Sequence, residues 1–228
     1  MKAFDRPALT VLLIQGARDL SLNLSEAQIT KLIDYLALMA KWNSVYNLTA
    51  VRDPVQMVTQ HLLDSLAAVS AFTGAKNVLD VGAGGGLPGI VLAIWAAEAQ
   101  PDMRISMIDT VHKKTAFLTQ VKAELSLSNV SVHTARVEQW QAPQKFDVIT
   151  SRAFADLSDF VNWSEHLLAD GGQYIALKGV APDSEVAGLP AGWQVSEVRA
   201  LQVPTLQAER HLAVSYTHLR AHETRGNL

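Results

Sequence analysis

Apolar residues along the first seventy or so positions return at helical spacing, and from Lys76 onward they gather into short runs. In "SEAQITKLIDYLALMAKWNSVYNL", Ile29, Leu32, Ile33, Leu36, Met39 and Ala40 recur every three or four residues, and Ser25 stands where a helix cap belongs. A further helix is predicted to start at Asp53-Pro54, because Asp caps well and Pro fits the first helical position. It runs through "VQMVTQHLLDSLAAVSAF" and stops at Gly74.

Beyond Lys76, "NVLDV", "RISMID", "VSVHTA", "FDVITS" and "GQYIALK" predict strands, separated by helical stretches at 88–98, 112–126 and 156–169. That alternation implies βαβ units and a mainly parallel sheet covered on both faces, an α/β Rossmann-like fold. "GWQVSEVRAL" and "RHLAV" have no helix between them and predict a C-terminal antiparallel hairpin. Residues 1–74 are therefore expected to form a helical extension packed on a core of residues 75–214. The remaining "SYTHLRAHETRGNL", 215–228, lacks apolar alternation and reads as a non-native tail of translated adapter sequence. It is set aside with its His218 and His222, despite their ligand-like spacing.

Composition narrows the picture. The chain has 228 residues, 49% hydrophobic and 18% charged, enough for a globular protein with a substantial core. It has no cysteine, which excludes disulfides and thiolate metal sites, and no metal is expected. No apolar run approaches the roughly 20 residues needed to cross a bilayer. The N-terminal segment lacks a small-residue cleavage site, so a cytoplasmic protein without a membrane partner is expected. A net charge of −3 excludes coating nucleic acid by charge alone. It leaves room for a local basic patch from Lys113, Lys114, Arg136, Arg152 and Lys178.

The candidate chemistry starts at "LDVGAGGGLPGI", residues 79–90, with five glycines between a strand and a helix. In open α/β sheets the ligand sits outside the carboxyl ends of the strands, and the first strand-to-helix loop carries the glycines. A nicotinamide fingerprint, G-x-G-x-x-G, would place its third glycine at 87, where Leu87 stands. Asp80 to Gly86 instead follows D-x-G-x-G-x-G, through Gly82, Gly84 and Gly86, and resembles the S-adenosylmethionine loop of Rossmann-like methyltransferases. An acid such as Asp80 suits a ligand carrying an ammonium and a sulfonium. Asp109 ends the second predicted strand, where an acid accepts hydrogen bonds from ribose hydroxyls. Capping of the helix near His112 is its other possible task.

"KWNSVYNLTA", "HLLDSL", "LDVGAGGGLPGI", "RVE" (136–138), "SRAFA" (151–155), "LKG" (177–179) and "ERHL" (209–212) run in order along the chain to about Val214. Together they resemble the bacterial 16S rRNA (guanine-N7) methyltransferase family, RsmG, formerly GidB. The resemblance implies a single class I methyltransferase domain with added N-terminal helices. It also implies methyl transfer from S-adenosyl-L-methionine to N7 of a guanine, position 527, in the 530 loop of 16S rRNA. Family cofactor positions fall on Gly82, Leu87, Val137, Glu138 and Arg152. Thr110 stands where the family commonly has Ser, and Lys114 where Arg is frequent, which keeps the charge and loses the planar fork. Expected partners are 16S rRNA or the small ribosomal subunit, with a monomeric enzyme.

Guanine N7 carries an in-plane lone pair, so in-line displacement at the methyl needs no general base. Alignment alone supplies on the order of 7–11 kcal/mol in well-oriented systems. Arg152, just after "FDVIT", is the main positioning residue, able to orient cofactor or guanine through O6. A surface salt bridge with Asp156 is its alternative. His61 and Asp64 lie three apart on one helical face, either bonded to each other or a helix end, or shaping the substrate entrance. Lys178, Arg210 and His211 near strand ends meet RNA phosphates or are merely solvated. Asn47 and Thr49 read as turn groups, and Trp42 and Trp95 as core. Two competing readings are a nicotinamide-dependent oxidoreductase, disfavoured by Leu87, and a non-catalytic RNA-binding assembly factor, disfavoured by an intact loop with Asp80 and Asp109.

Overall fold

A computed structural model describes residues 3–217. Helices α1 (Arg6–Asp19) and α2 (Glu26–Tyr46) come first. Ser25 accepts from the Gln28 N–H at 3.1 Å while the Gln28 side chain accepts from the Ser25 N–H, a reciprocal capping box. Asp53 caps α3 (Pro54–Met57) as the sequence predicts. The expected continuous helix is interrupted, however: Val58–Leu63 forms a π-helical turn, α4 (Asp64–Leu66) follows, and Val69–Phe72 closes with a 3-10 turn. The widened turn is where the Gln60 carbonyl accepts from Arg152 at 2.9 Å, a bond that crosses from the helices to the sheet.

Strands β1 (Asn77–Val81), β2 (Arg104–Asp109), β3 (Val130–Thr134), β4 (Phe146–Arg152), β5 (Leu168–Lys178), β6 (Trp193–Ala200) and β7 (His211–Thr217) form one sheet in the order β3-β2-β1-β4-β5-β7-β6. The first five are parallel; β7 pairs antiparallel with both β5 and β6. Helices α5 (Gly89–Ala99), α6 (His112–Glu124) and α7 (Leu157–Ser164) cross between strands, and α8 (Asp183–Val186) precedes the hairpin. This is the Rossmann-like α/β fold expected. Pro88 stands one position earlier than expected, flanking a helix that begins at Gly89.

Two cores cover the sheet. Val78, Ile105, Met107, Val148 and Ile175 face one side, with Leu36, Leu63, Ile90 and Phe117 from the helices. Leu79, Ile108, Ile149, Tyr174 and Ala176 face the other, with Phe160 from α7. Strands apolar on both faces are what a covered parallel sheet requires. The N-terminal helices share the first core with α5 and α6, so their apolar stripes are buried against the sheet's own helices.

Ser215, Tyr216 and Thr217, assigned from sequence to the tail, extend β7: Ser215 pairs with Tyr174 and Val195, and Thr217 with Trp193. Backbone ladders need N–H and C=O groups rather than apolar alternation, so the missing pattern did not mark the strand end. His218 and His222 lie outside the described residues. Among the described residues no helix is long and apolar enough to cross a membrane.

Candidate active site

The loop after β1 is built from backbone. Gly82 and Gly84 hold φ of +66° and +56°, a region L side chains avoid. The N–H groups of Gly82 and Ala83 donate to the Ile108 carbonyl at 2.9 and 3.1 Å, fastening the loop to β2. Asp109, at the end of β2, accepts from the Gly84 N–H at 3.0 Å and from the Val111 N–H at 2.8 Å. It therefore braces the glycine loop and does not cap α6, whose cap residue is Val111 with no side-chain bond. From the helical extension, the buried Tyr35 hydroxyl donates to the Gly85 carbonyl at 2.6 Å. Nothing in the apolar stripe of α2 distinguished Tyr35 in the sequence.

Two sequence-assigned cofactor residues shape the loop from below and line neither cavity described next. Asp80 alternates with Leu79 and Val81 and so points to the face shared with Val78, where it is fully buried. Its Oδ2 accepts from the Gly89 N–H at 2.9 Å, and its Oδ1 has no partner. Burial pushes its pKa up to about 7, opposed by the Gly89 bond and by Arg152 and reinforced by Asp109. The space is tight: a Cβ on Gly89 would lie 2.7 Å from Asp80 Oδ2 and 2.7 Å from the Met107 sulfur. Gly86 faces inward too, since a Cβ there would meet Ile90 at 2.5 Å and Leu118 at 2.8 Å.

Above the loop lie two cavities that share Gly82, Lys114 and Ala153. The first, about 370 Å³, is lined by Asp109, Val111, Val137, Glu138, Phe154 and Trp163 among others. The Phe154 ring lies over Gly82, where an added Cβ would come within 2.3 Å of it, and packs edge-on to Trp163 with centroids 5.8 Å apart. The second, about 410 Å³, is lined by Thr49, Asp64, Gly84, Leu87, Arg152, Lys178 and Arg210 among others. Both have the size of small-ligand sites. The first presents the carboxylates of Asp109 and Glu138; the second presents most of the cations.

Those cations are held. Asp64 accepts from Arg152 Nη1 and from Arg210 Nε, each at 3.0 Å. Asp156 is not the partner of Arg152: it caps α7 through the Asp159 N–H. Lys178 donates to the Ala155 carbonyl at 2.8 Å and to Glu185 at 2.7 Å. Lys114 Nζ stands 3.7 Å from Asp109.

His61, expected from sequence either to bond Asp64 or a helix end or to shape the substrate entrance, does not bond Asp64 and lines neither cavity. It is buried behind Thr49, with Nε2 2.9 Å from Thr49 Oγ1 and Nδ1 without a partner. Burial, reinforced by Arg152, pushes its pKa down to about 4, so it is neutral at pH 7. Asn47 and Thr49 are turn groups as expected: Asn47 ends α2 in the left-handed region, and Thr49 accepts from the Val51 N–H at 3.1 Å. Trp42 packs on Phe117 with centroids 5.5 Å apart, and Trp95 lies half-buried against the same core. His211 begins β7 with its Nδ1 buried. Among the described residues no group of three or more His, Cys, Asp or Glu side chains is placed to hold a metal.

The family model for rRNA small subunit methyltransferase G matches residues 28–213. The ribosomal RNA small subunit methyltransferase G of Janthinobacterium sp. (strain Marseille) is 96% identical over 212 residues, covering 93% of this chain and 96% of that one. That of Herminiimonas arsenicoxydans is 86% identical, covering 93% and 97%. Among solved structures, the N-methyltransferase NodS of Bradyrhizobium japonicum, in complex with S-adenosyl-L-homocysteine, shares the fold with a TM-score of 0.54 at 15% identity, covering 78% of this chain and 99% of that one.

Proposed function

Because the chain belongs to the rRNA small subunit methyltransferase G family, and with it to the rRNA methyltransferases, we propose that it methylates N7 of one guanine in the 530 loop of 16S rRNA. S-adenosyl-L-methionine is the methyl donor, supplying an electrophilic methyl group on a sulfonium. The observation that carries the reading is the contiguity, at Gly82, Lys114 and Ala153, of a cavity that presents Asp109 and Glu138 and a cavity lined by most of the site's cations.

The residues present fit the donor. A Cβ on Gly84 would meet nothing closer than the Gly82 carbonyl at 3.7 Å, so the main chain there is open to a ligand. Asp109 and Glu138 offer acceptors for sugar hydroxyls, and Val111 and Val137 offer apolar walls for a base. Gly84 borders the second cavity beside Gly82, which both cavities share, so a donor reaching from the first cavity would meet it, with the guanine beyond toward Leu87.

The chain's part in the reaction is orientation. Guanine N7 needs no proton removed, and the neutral His61, bonded to Thr49, holds no base in the cavity. Arg152, with Nη1 committed to Asp64 and Gln60, keeps other N–H groups for the O6 carbonyl of guanine and leaves N7 free. In well-oriented systems such alignment lowers a bimolecular barrier by about 7–11 kcal/mol. The proposal takes the cytoplasm as the site of action, the small subunit or its rRNA as the partner and a monomer as the acting species.

Unmethylated small subunits incubated with methyl-labelled S-adenosylmethionine should gain label at one 530-loop guanine, read by strand scission at 7-methylguanosine. Label at another base, or none from protein that binds S-adenosylhomocysteine, refutes the proposal. A nicotinamide dinucleotide should not bind.

A further inference from the structure

We propose that Asp64 is a positioning residue that sets the guanidinium groups of Arg152 and Arg210 for the RNA substrate. The inference rests on the rRNA-methylation reading above and names a residue through which that site is built.

The Asp64 side chain is only 3% exposed, against 22% for Arg152 and 23% for Arg210. A carboxylate this buried is retained only with partners that offset its lost hydration. It has two, one on each oxygen, and they come from distant parts of the chain: Arg152 ends β4 and Arg210 immediately precedes β7, 88 and 146 residues away. Asp64 itself follows the π-helical turn of the N-terminal extension. One carboxylate thus ties the extension and two strands together at the wall of the second cavity.

The tie also decides which donors remain. A guanidinium has five N–H groups in a rigid fork. Arg152 commits Nη1 to Asp64 and Gln60, and Arg210 commits Nε to Asp64 and Nη1 to the Glu209 carbonyl. Each keeps Nη2 for an acceptor in the cavity, the chemistry of a guanine O6 or an RNA phosphate.

Charge balance points the same way. Four cations line this cavity, Lys114, Arg152, Lys178 and Arg210, and each lies within 4 Å of one of three acids, Asp109, Asp64 or Glu185. The surplus sits on the arginine pair that shares Asp64. A cavity with one surplus positive charge attracts an anionic strand.

The test is a double-mutant cycle on the full chain with unmethylated small subunits. Asp64→Asn keeps the shape and removes the charge, and kcat/KM for RNA methylation should fall about 100-fold, the scale for misplacing an aligned group. The Kd for S-adenosylhomocysteine should change far less than kcat/KM, since Asp64 and both arginines line the second cavity and none of them lines the first. In an Arg152→Ala/Arg210→Ala background the same substitution should cause no further loss, because Asp64 acts only through those two side chains. Full activity in Asp64→Asn, or an equal additional loss in the double-arginine background, overturns the proposal. Should Asp64→Asn not fold, Asp64→Glu retains the charge and shifts the carboxylate by one methylene; an undiminished kcat/KM in that variant overturns it equally. Wild-type protein that binds S-adenosylhomocysteine yet methylates no rRNA would instead refute the functional reading.

Discussion

Asp80→Asn is expected to stabilise the protein above pH 7 and to lose that advantage as the pH falls. In the folded chain the buried carboxyl titrates near 7 instead of at its ordinary 3.8. Between those values the folded state holds a proton that the unfolded state has released. The sign follows: an acid raised on folding contributes stability that is fully present below pH 3.8 and is lost as the pH rises through 7. From pH 5 to pH 8 the wild type should lose about 3 kcal/mol on this account, at 1.4 kcal/mol per pK unit. Asn cannot ionise and can still accept from the Gly89 N–H, so its contribution should stay flat with pH.

Urea unfolding of both proteins at pH 5, 6, 7 and 8, followed by tryptophan fluorescence without added ligand, measures the difference directly. The gap between variant and wild type should widen in favour of the variant by about 3 kcal/mol from pH 5 to pH 8. Parallel curves would refute the reasoning, since they would mean that the unpartnered Oδ1 is not the buried, costly atom the fold makes it. No substrate is needed, so the result bears on how the loop is built rather than on what it binds.

Two further outcomes follow from the same site. His61→Gln should behave oppositely to Asp80→Asn in acid. The wild-type imidazole is held neutral down to about pH 4, so its contribution is present above its ordinary 6.5 and is lost as the pH falls, by about 2 kcal/mol at pH 5. The stability of His61→Gln relative to wild type should therefore rise between pH 7.5 and pH 5, and a constant difference in urea unfolding would disprove the assignment. Gly84→Val places a β-branched side chain at φ +56°, in the open space beside the Gly82 carbonyl. The Kd for S-adenosylhomocysteine, measured by calorimetry, should rise about 100-fold, equivalent to about 3 kcal/mol at 1.4 kcal/mol per tenfold; near-normal affinity would remove the loop from the site.

How far these residues could be read from sequence depended on the range of the force that places them. Helical spacing and β-branched runs are local, and they delivered β1 and β2 to the residue, with the other elements displaced at their ends. The glycine loop was equally legible, because the positive φ at Gly82 and Gly84 is a demand on the residue type at each position, whatever distant groups hold the loop. The buried seat of Asp80 was not legible, for a physical reason. In a sheet covered on both sides, Val78, Leu79 and Val81 are all buried, so period-two alternation says nothing about which face an acid joins. The register and the seat of α5 decide it, and they put the carboxyl under the Gly89 N–H. The partners of His61 and Asp64 were hidden in the same way: spacing of three permits a bond between them, but Thr49 and two arginines from distant strands offer better geometry. Residues set by local backbone needs were thus legible from a single chain. Residues whose charge must be compensated across the fold were not, because their partners are chosen by the sheet order that brings β4 and β7 to the same wall.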